Sequence, residues 1–196
     1  HPVIKSPKSK TWSATSLPWM SFGYEVLVSP LQTLMLYNAV ANNGKMMKPY
    51  LVEEIQQSGI TLQKNEPQVW VEQICSEPTL KQLRTCLQSV MTNGTGKALQ
   101  TPYFPIAGKT GTALVANGNR GYADHIYQSS FAGYFPANDP KYTCVVVIVN
   151  KPHAVKYYGG AVAGPVFREI ADKLFAMQAQ HTPVPTAVLP KRDSSA

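Results

Sequence analysis

The sequence predicts an α+β fold, a mainly antiparallel β-sheet flanked by helices, and three observations carry that reading. Two segments of the first half open with helix start signals, at Ser29-Pro30-Leu31-Gln32 and at Ser76. From Phe104 onward the pattern turns into three β-prone runs, Phe104 to Val115, Ser129 to Pro136 and Tyr142 to Asn150, joined by links of hairpin type. A last apolar-striped helix then follows Tyr157-Tyr158-Gly159-Gly160. With 196 residues and 44% hydrophobic content, the chain is long enough for one well-cored domain and short for two.

In chain order, residues 1–20 read as an extended lead-in, rich in Pro, Ser and Lys, whose Trp12 and Trp19 call for packing partners. The helix beginning at Ser29 runs through LQTLMLYNAVAN to a stop at Asn43-Gly44. Leu31, Leu34, Met35, Leu36, Val40 and Ala41 cover it on most sides, which predicts a central, nearly all-round buried helix. Two short strands are expected at Tyr50 to Ile55 and Gln68 to Ile74, with polar turns between them around Ser58-Gly59 and Lys64 to Pro67. In the helix capped by Ser76, Leu80, Leu83, Leu87, Val90 and Met91 recur at three and four while Lys81, Arg84 and Gln88 look outward. The run Cys144 to Val149 is the most densely apolar in the chain, and such a strand calls for cover on both faces. Val162, Val166, Ile170 and Leu174 form the inward stripe of the last helix, with Pro165 near its first turns. The domain part is thus expected over 1–177, with 178–196 a Pro-rich tail or linker.

The formal charge of +7 suits an anionic partner, yet no run of five Lys or Arg occurs, so nucleic acid is not favoured. Cys75, Cys86 and Cys144 are too few for a disulfide framework; Cys144 reads as a core residue, and whether Cys75 and Cys86 pair is open. His1, His125, His153 and His181 lack ligand spacing, so neither a metal nor another cofactor is called for. No apolar run approaches the roughly 20 residues that span a bilayer. The chain opens at His1 without an initiator Met and without a signal peptide, so it reads as a piece of something longer.

Chemistry concentrates in Ile106-Ala-Gly-Lys-Thr-Gly-Thr-Ala-Leu-Val115. As a strand at a sheet edge, it sends Lys109, Gly111 and Ala113 to one face and Thr110 and Thr112 to the other. Glycines admit a close neighbour, and an unpaired edge offers N–H groups to an extended peptide. Gly108-Lys109-Thr110 matches half of a phosphate-binding P-loop, but Tyr103 stands where the first glycine belongs and Pro105 interrupts the loop. Gly94-Thr95-Gly96-Lys97 misses similarly, with Met91 and Ala98 at the decisive places. An NTPase is therefore excluded.

Four pieces stand in a specific order. They are Ser21-Phe22-Gly23-Tyr24 with Ser29-Pro30-Leu31-Gln32 and the Gly44-Lys45 helix end; Gly94-Thr95-Gly96; Gly108-Lys109-Thr110-Gly111-Thr112-Ala113; and Tyr158-Gly159-Gly160-Ala161 leading to Pro165-Val166-Phe167. Over roughly 12–177 this set resembles the transpeptidase domain of class B penicillin-binding proteins, most of all the septal, division-specific type. The resemblance implies a peptidoglycan D,D-transpeptidase with a serine β-lactamase-like fold. A serine attacks the D-Ala-D-Ala stem peptide, and the acyl-enzyme passes the acyl group to a neighbouring stem's amine. β-Lactams acylate the same serine. Lys109, Thr110, Gly111 and Thr112 are then the catalytic wall. Lys109 supplies positive charge, the Thr110 and Thr112 hydroxyls bind the substrate carboxylate, and the Thr112 N–H forms half of an oxyanion hole. Tyr157 and Tyr158 resemble a wall of the substrate cleft, and Tyr122 and Tyr127 lie on the preceding long loop, each with ordinary packing as its alternative. The resemblance also implies division-complex partners and an extracytoplasmic, periplasmic domain on an N-terminal membrane anchor.

Two family motifs are absent. No lysine has serine three places before it, the sole hydroxyl match being Thr61-Leu62-Gln63-Lys64 in an expected turn, and no asparagine has Ser or Tyr two places before it. The chain therefore reads as the C-terminal part of the domain, inactive alone, with the missing N-terminal half as a partner. The alternative is a non-catalytic peptidoglycan-binding or scaffold module of the same fold; a serine β-lactamase is weaker still, since nothing here supplies a deacylating base.

Overall fold

The computed structural model describes residues 2–181. The lead-in is more folded than the expected extended chain: Val3–Ile4 (β1) pairs antiparallel with Val26–Leu27 (β2), and Ser16–Met20 (α1) is helical between them. Trp19 draws the segment together, its ring 5.5 Å from Phe22 and 5.2 Å from Tyr24. Helix α2, Pro30–Ala41, starts as its sequence dictates: the Ser29 hydroxyl accepts the Gln32 N–H, the Gln32 side chain accepts the Ser29 N–H, and Pro30 opens the first turn. Only Met35, Ala39 and Val40 are buried, however, and Leu31 and Leu36 are each 49% exposed. The expected all-round burial fails because α2 packs on β-sheet and on its neighbour α3 along one side only.

Next come Met46–Met47 (β3), Glu54–Gln57 (β4), Ile60–Lys64 (β5) and Val69–Val71 (β6), with β4 paired to β5 and β3 to β6. The expected turn region is therefore partly strand. Ser58 and Gly59, both at positive φ, are a two-residue hairpin loop, and Thr61 to Lys64 lie on β5. Helix α3, Glu77–Thr92, is capped by Ser76 as expected. Its Leu83 is 40% exposed, whereas Arg84, expected outward, turns inward and donates to the carbonyls of Val40 (2.9 Å) and Ala41 (2.8 Å). The end of α2 leaves those carbonyls without helical partners, and a guanidinium satisfies two at once.

The main sheet has the order β7-β8-β9, antiparallel throughout, with β7 at Ala107–Val115, β8 at Ile126–Phe135 and β9 at Tyr142–Val149. It is the expected sheet with β7 and β9 trimmed, but β8 begins at Ile126 rather than Ser129, so Tyr127, expected on the loop, is on the strand; β7 is an edge. Alternation along β8 divides the core. Phe131 and Phe135 meet Phe167 of helix α4, Gly159–His181, while Tyr134 faces the other way, into a cluster with Val40 and Leu80. Cys144 and Val146 of β9 pack toward α4, but Val145 and Val147 line an open groove, so the second face of β9 is covered only in part.

The inward stripe of α4 is Ala163, Phe167 and Ala171, all fully buried, rather than Val162, Val166 and Ile170; Val166 is 41% exposed. The helix rotates this way because its small residues let its backbone press close. A Cβ on Gly159 would collide with the carbonyls of Gly111 and Ser130, and one on Gly164 with Leu99. α4 continues to His181, past the expected start of the tail at 178, and the remaining tail, 182–196, lies outside the described residues. All three cysteines are free, and no helix among the described residues is long and apolar enough to cross a membrane. Phe167→Ala should cost about 3–5 kcal/mol and lower the thermal midpoint sharply, whereas Leu36→Ala should shift stability by no more than about 0.5 kcal/mol, both checked by denaturant unfolding.

Candidate active site

β7 carries the sequence's most chemical stretch along an open edge. Its outer side has no strand, so Lys109 is free to curl round: its Nζ donates to the Thr110 carbonyl at 2.7 Å and stands 3.4 Å from Thr110 Oγ1. Pleating puts the lysine's Cβ and the two threonines on opposite faces, but the long side chain rejoins them at the rim. Thr110 Oγ1 also lies 2.7 Å from Thr95 Oγ1, on the turn after α3. Thr112 Oγ1 accepts the backbone N–H of Gly159 at 3.0 Å, at the first turn of α4. Thr112 and Lys109 are exposed and Thr110 is half-buried. One cation and two hydroxyls thus share a solvent-facing strip, with a helix N-terminus directly behind it.

The next wall comes from the segment between β9 and α4. Tyr157 stacks on Tyr127 of β8, with centroids 4.0 Å apart and planes 13° apart, and its hydroxyl donates to that of Tyr158 at 3.4 Å. The bond to Tyr158, more than any other influence, holds the Tyr157 phenol above its ordinary pKa. Buried Ser129 anchors this segment by donating to the Tyr157 carbonyl and accepting from Asn150 Nδ2 at 2.7 Å; Asn150 also donates to the Tyr127 carbonyl at 2.9 Å. A groove of about 630 Å³ opens on the opposite face of the sheet, bounded by Thr112, Ala113, Ser130, Ala132, Val145 and Val147 on one side and by Phe22 to Val28 on the other.

A family model described as the penicillin binding protein transpeptidase domain matches residues 4–172. The chain belongs to this family. Curated relatives include the probable peptidoglycan D,D-transpeptidase PbpC of Pseudomonas aeruginosa, 33% identical over 84% of the chain, and stage V sporulation protein D of Bacillus subtilis, 34% identical over 76%. Penicillin-binding protein 3 of Mycobacterium tuberculosis, solved in complex with aztreonam, superposes with a TM-score of 0.75 at 26% identity over 91% of the chain. The chain spans 27% of PbpC, 23% of the sporulation protein and 41% of that crystallised chain, so it corresponds to a minor part of each. The class B assignment and the mixed helix and antiparallel-sheet fold both stand on these likenesses.

Within this transpeptidase-domain chain, the expected residues Lys109, Thr110, Gly111 and Thr112 lie together on β7, and Tyr157 and Tyr158 are adjacent on the α4 side. Tyr122 stands apart, 51% exposed on the loop before β8, and it is Tyr127 that reaches Tyr157. Sequence reasoning gave no role to Thr95, Ser129 or Asn150. No local pattern marks them: the Gly159-Gly160 pair that opens α4 signals a close backbone approach, but its partners are the carbonyls of Gly111, Ser130 and Thr95. Ser129→Ala strands both the Tyr157 carbonyl and one Asn150 N–H, and should cost about 1–3 kcal/mol while raising amide exchange across 150–158 in hydrogen-exchange measurements.

Proposed function

We propose that the chain is the K-T-G-bearing, C-terminal part of a peptidoglycan D,D-transpeptidase domain, and that its β7 edge holds the D-alanyl carboxylate of a stem peptide or the corresponding carboxylate of a β-lactam. The observation that carries this reading is the back-filling of the two hydroxyls. Thr112 Oγ1 has one lone pair occupied by the Gly159 N–H, and Thr110 Oγ1 has Lys109 Nζ and Thr95 beside it. A hydroxyl whose oxygen already accepts keeps its proton for an outside acceptor, and a carboxylate accepts only. Lys109 adds a positive charge at the same rim.

In the reaction, a serine outside this chain attacks the penultimate D-Ala carbonyl, the terminal D-Ala leaves with its carboxylate, and a second stem's amine takes the acyl group from the serine. The Thr112 N–H is one of the donors to the oxyanion, and the loss of such a donor costs on the order of a hundredfold or more. Tyr157 and Tyr158 wall the donor peptide. The missing Ser-x-x-Lys and Ser-x-Asn motifs belong to a segment before residue 1, and the groove beside Ala113, Ser130, Ala132, Val145 and Val147 is where that half packs. In the whole protein the domain works outside the cytoplasmic membrane, on an N-terminal anchor and among division proteins.

Titration with N-acetyl-D-alanyl-D-alanine should move the amide resonances of 109–112 and 159–160 first; shifts confined to other surfaces would overturn the carboxylate assignment. Incubation of the chain alone with a penicillin should leave its intact mass unchanged, and a stoichiometric gain would show that a nucleophile is present after all.

A further inference from the structure

The turn Gly94-Thr95-Gly96 has no part in the reading above beyond its contact with Thr110, yet it is built with unusual constraint. The last turn of α3 compels Gly94 and crowds Gly96. A Cβ on Gly94 would stand 2.9 Å from the backbone of Val90, and one on Gly96 would stand 2.5 Å from Met91 Sδ. The N–H groups of Gly94 and Gly96 both donate to the Val90 carbonyl, at 3.1 and 3.0 Å, and Lys97 N–H donates to the Gly94 carbonyl at 3.2 Å. Thr95 is thus clamped from both sides at the tip of the turn. On its far side its carbonyl lies against Gly160, where a Cβ would stand 2.9 Å away, so α3, β7 and α4 converge on this one residue. Its hydroxyl points at Thr110 Oγ1, 2.7 Å away. A surface threonine held this firmly, with its hydroxyl against another hydroxyl, does more than decorate a turn.

We infer that Thr95 is a positioning residue for carboxylate binding: it donates its hydroxyl proton to Thr110 Oγ1 and so turns the Thr110 proton outward, toward the anion. The inference rests on the carboxylate-binding reading of β7 and deepens it. Without a ligand, either hydroxyl of the pair serves as donor, because both rotate freely about their C–O bonds. A carboxylate beside Thr110 removes that freedom. Thr110 must donate to the anion, and its oxygen then needs a donor from behind. Lys109 Nζ, at 3.4 Å, is at the long limit for that role. Thr95, at 2.7 Å, is the better placed. The result is a directed chain from Thr95 through Thr110 to the carboxylate, in which each bond polarises the next. Gly159 N–H plays the same part for Thr112, so both hydroxyls are oriented from behind, one by a backbone donor and one by a side chain.

The test uses the 196-residue chain, with N-acetyl-D-alanyl-D-alanine and its C-terminal carboxamide as paired probes, followed by amide shifts. Thr95→Val keeps the shape and loses the hydroxyl; it should weaken binding of the carboxylate about five- to tenfold, the size of one hydrogen bond, while affinity for the carboxamide changes less than about twofold. Thr95→Ser should restore carboxylate binding to within about twofold of the parent chain. An equal loss for both probes, or a Thr95→Ser chain as weak as Thr95→Val at an unchanged melting temperature, would reduce Thr95 to a structural residue. Thr112→Val separates the two levels of argument. If it abolishes the carboxylate preference while Thr95→Val leaves it intact, the Thr95 inference fails alone. If the parent chain shows no preference for the carboxylate, the reading of β7 fails with it.

Discussion

The contact on which the rest of the molecule depends is the approach of the first turn of α4 to the backbone of β7 and β8. Gly159 sits against the carbonyls of Gly111 and Ser130 with no room for a methyl group, and Gly160 sits against the carbonyl of Thr95. Such a distance is available only where the helix side brings no Cβ. It brings the Gly159 N–H within hydrogen-bonding reach of Thr112, presses α4 on the sheet along Ala163, Phe167 and Ala171, and sets the height of the Tyr157-Tyr158 wall above the strand. A larger residue at 159 would lift the helix and separate the threonine strip from the helix terminus behind it.

The free edge of β7 is the second constraint, and it works with the first. An edge strand is a liability that most proteins cover. Here the outer side of β7 is left open where Lys109, Thr110 and Thr112 stand, and its charge and hydroxyls blunt it against strand addition. The same openness lets Lys109 fold back on the rim. Anchoring falls instead to the neighbouring strands, where buried Ser129 and half-buried Asn150 tie the loop carrying Tyr157 to β8. The site is therefore polar and exposed in front and rigid behind, which suits the capture of a charged, extended peptide.

The N-terminal half is less finished. α2 is apolar on nearly all sides, yet Leu31 and Leu36 are half exposed, and the hairpin from β4 to β5 presents Ile55, Ile60 and Leu62 to solvent. The burial expected for α2 is a property of its composition; the burial observed depends on which neighbours are present.

Local chemistry was legible in the sequence. The Ser29-Pro30-Leu31-Gln32 box and the Ser76 cap depend on residues within a few positions of one another and lie where their patterns put them, and alternation with hairpin-type links placed the three antiparallel strands and the Lys109-Thr110-Gly111-Thr112 strip to within a few residues. The Ser58-Gly59 loop was readable as a turn but not as a hairpin turn, because that depends on whether the flanking residues pair. What the tertiary structure alone decided are encounters between distant residues: Arg84 on the end of α2, the rotation of α4 to Ala163, Phe167 and Ala171, Tyr127 rather than Tyr122 beneath Tyr157, and Thr95 against Thr110. Periodicity marks an apolar face but not how near that face may come to its partner. That distance is set by where small residues on two separate elements coincide, and no single stretch of sequence contains both sides of the contact.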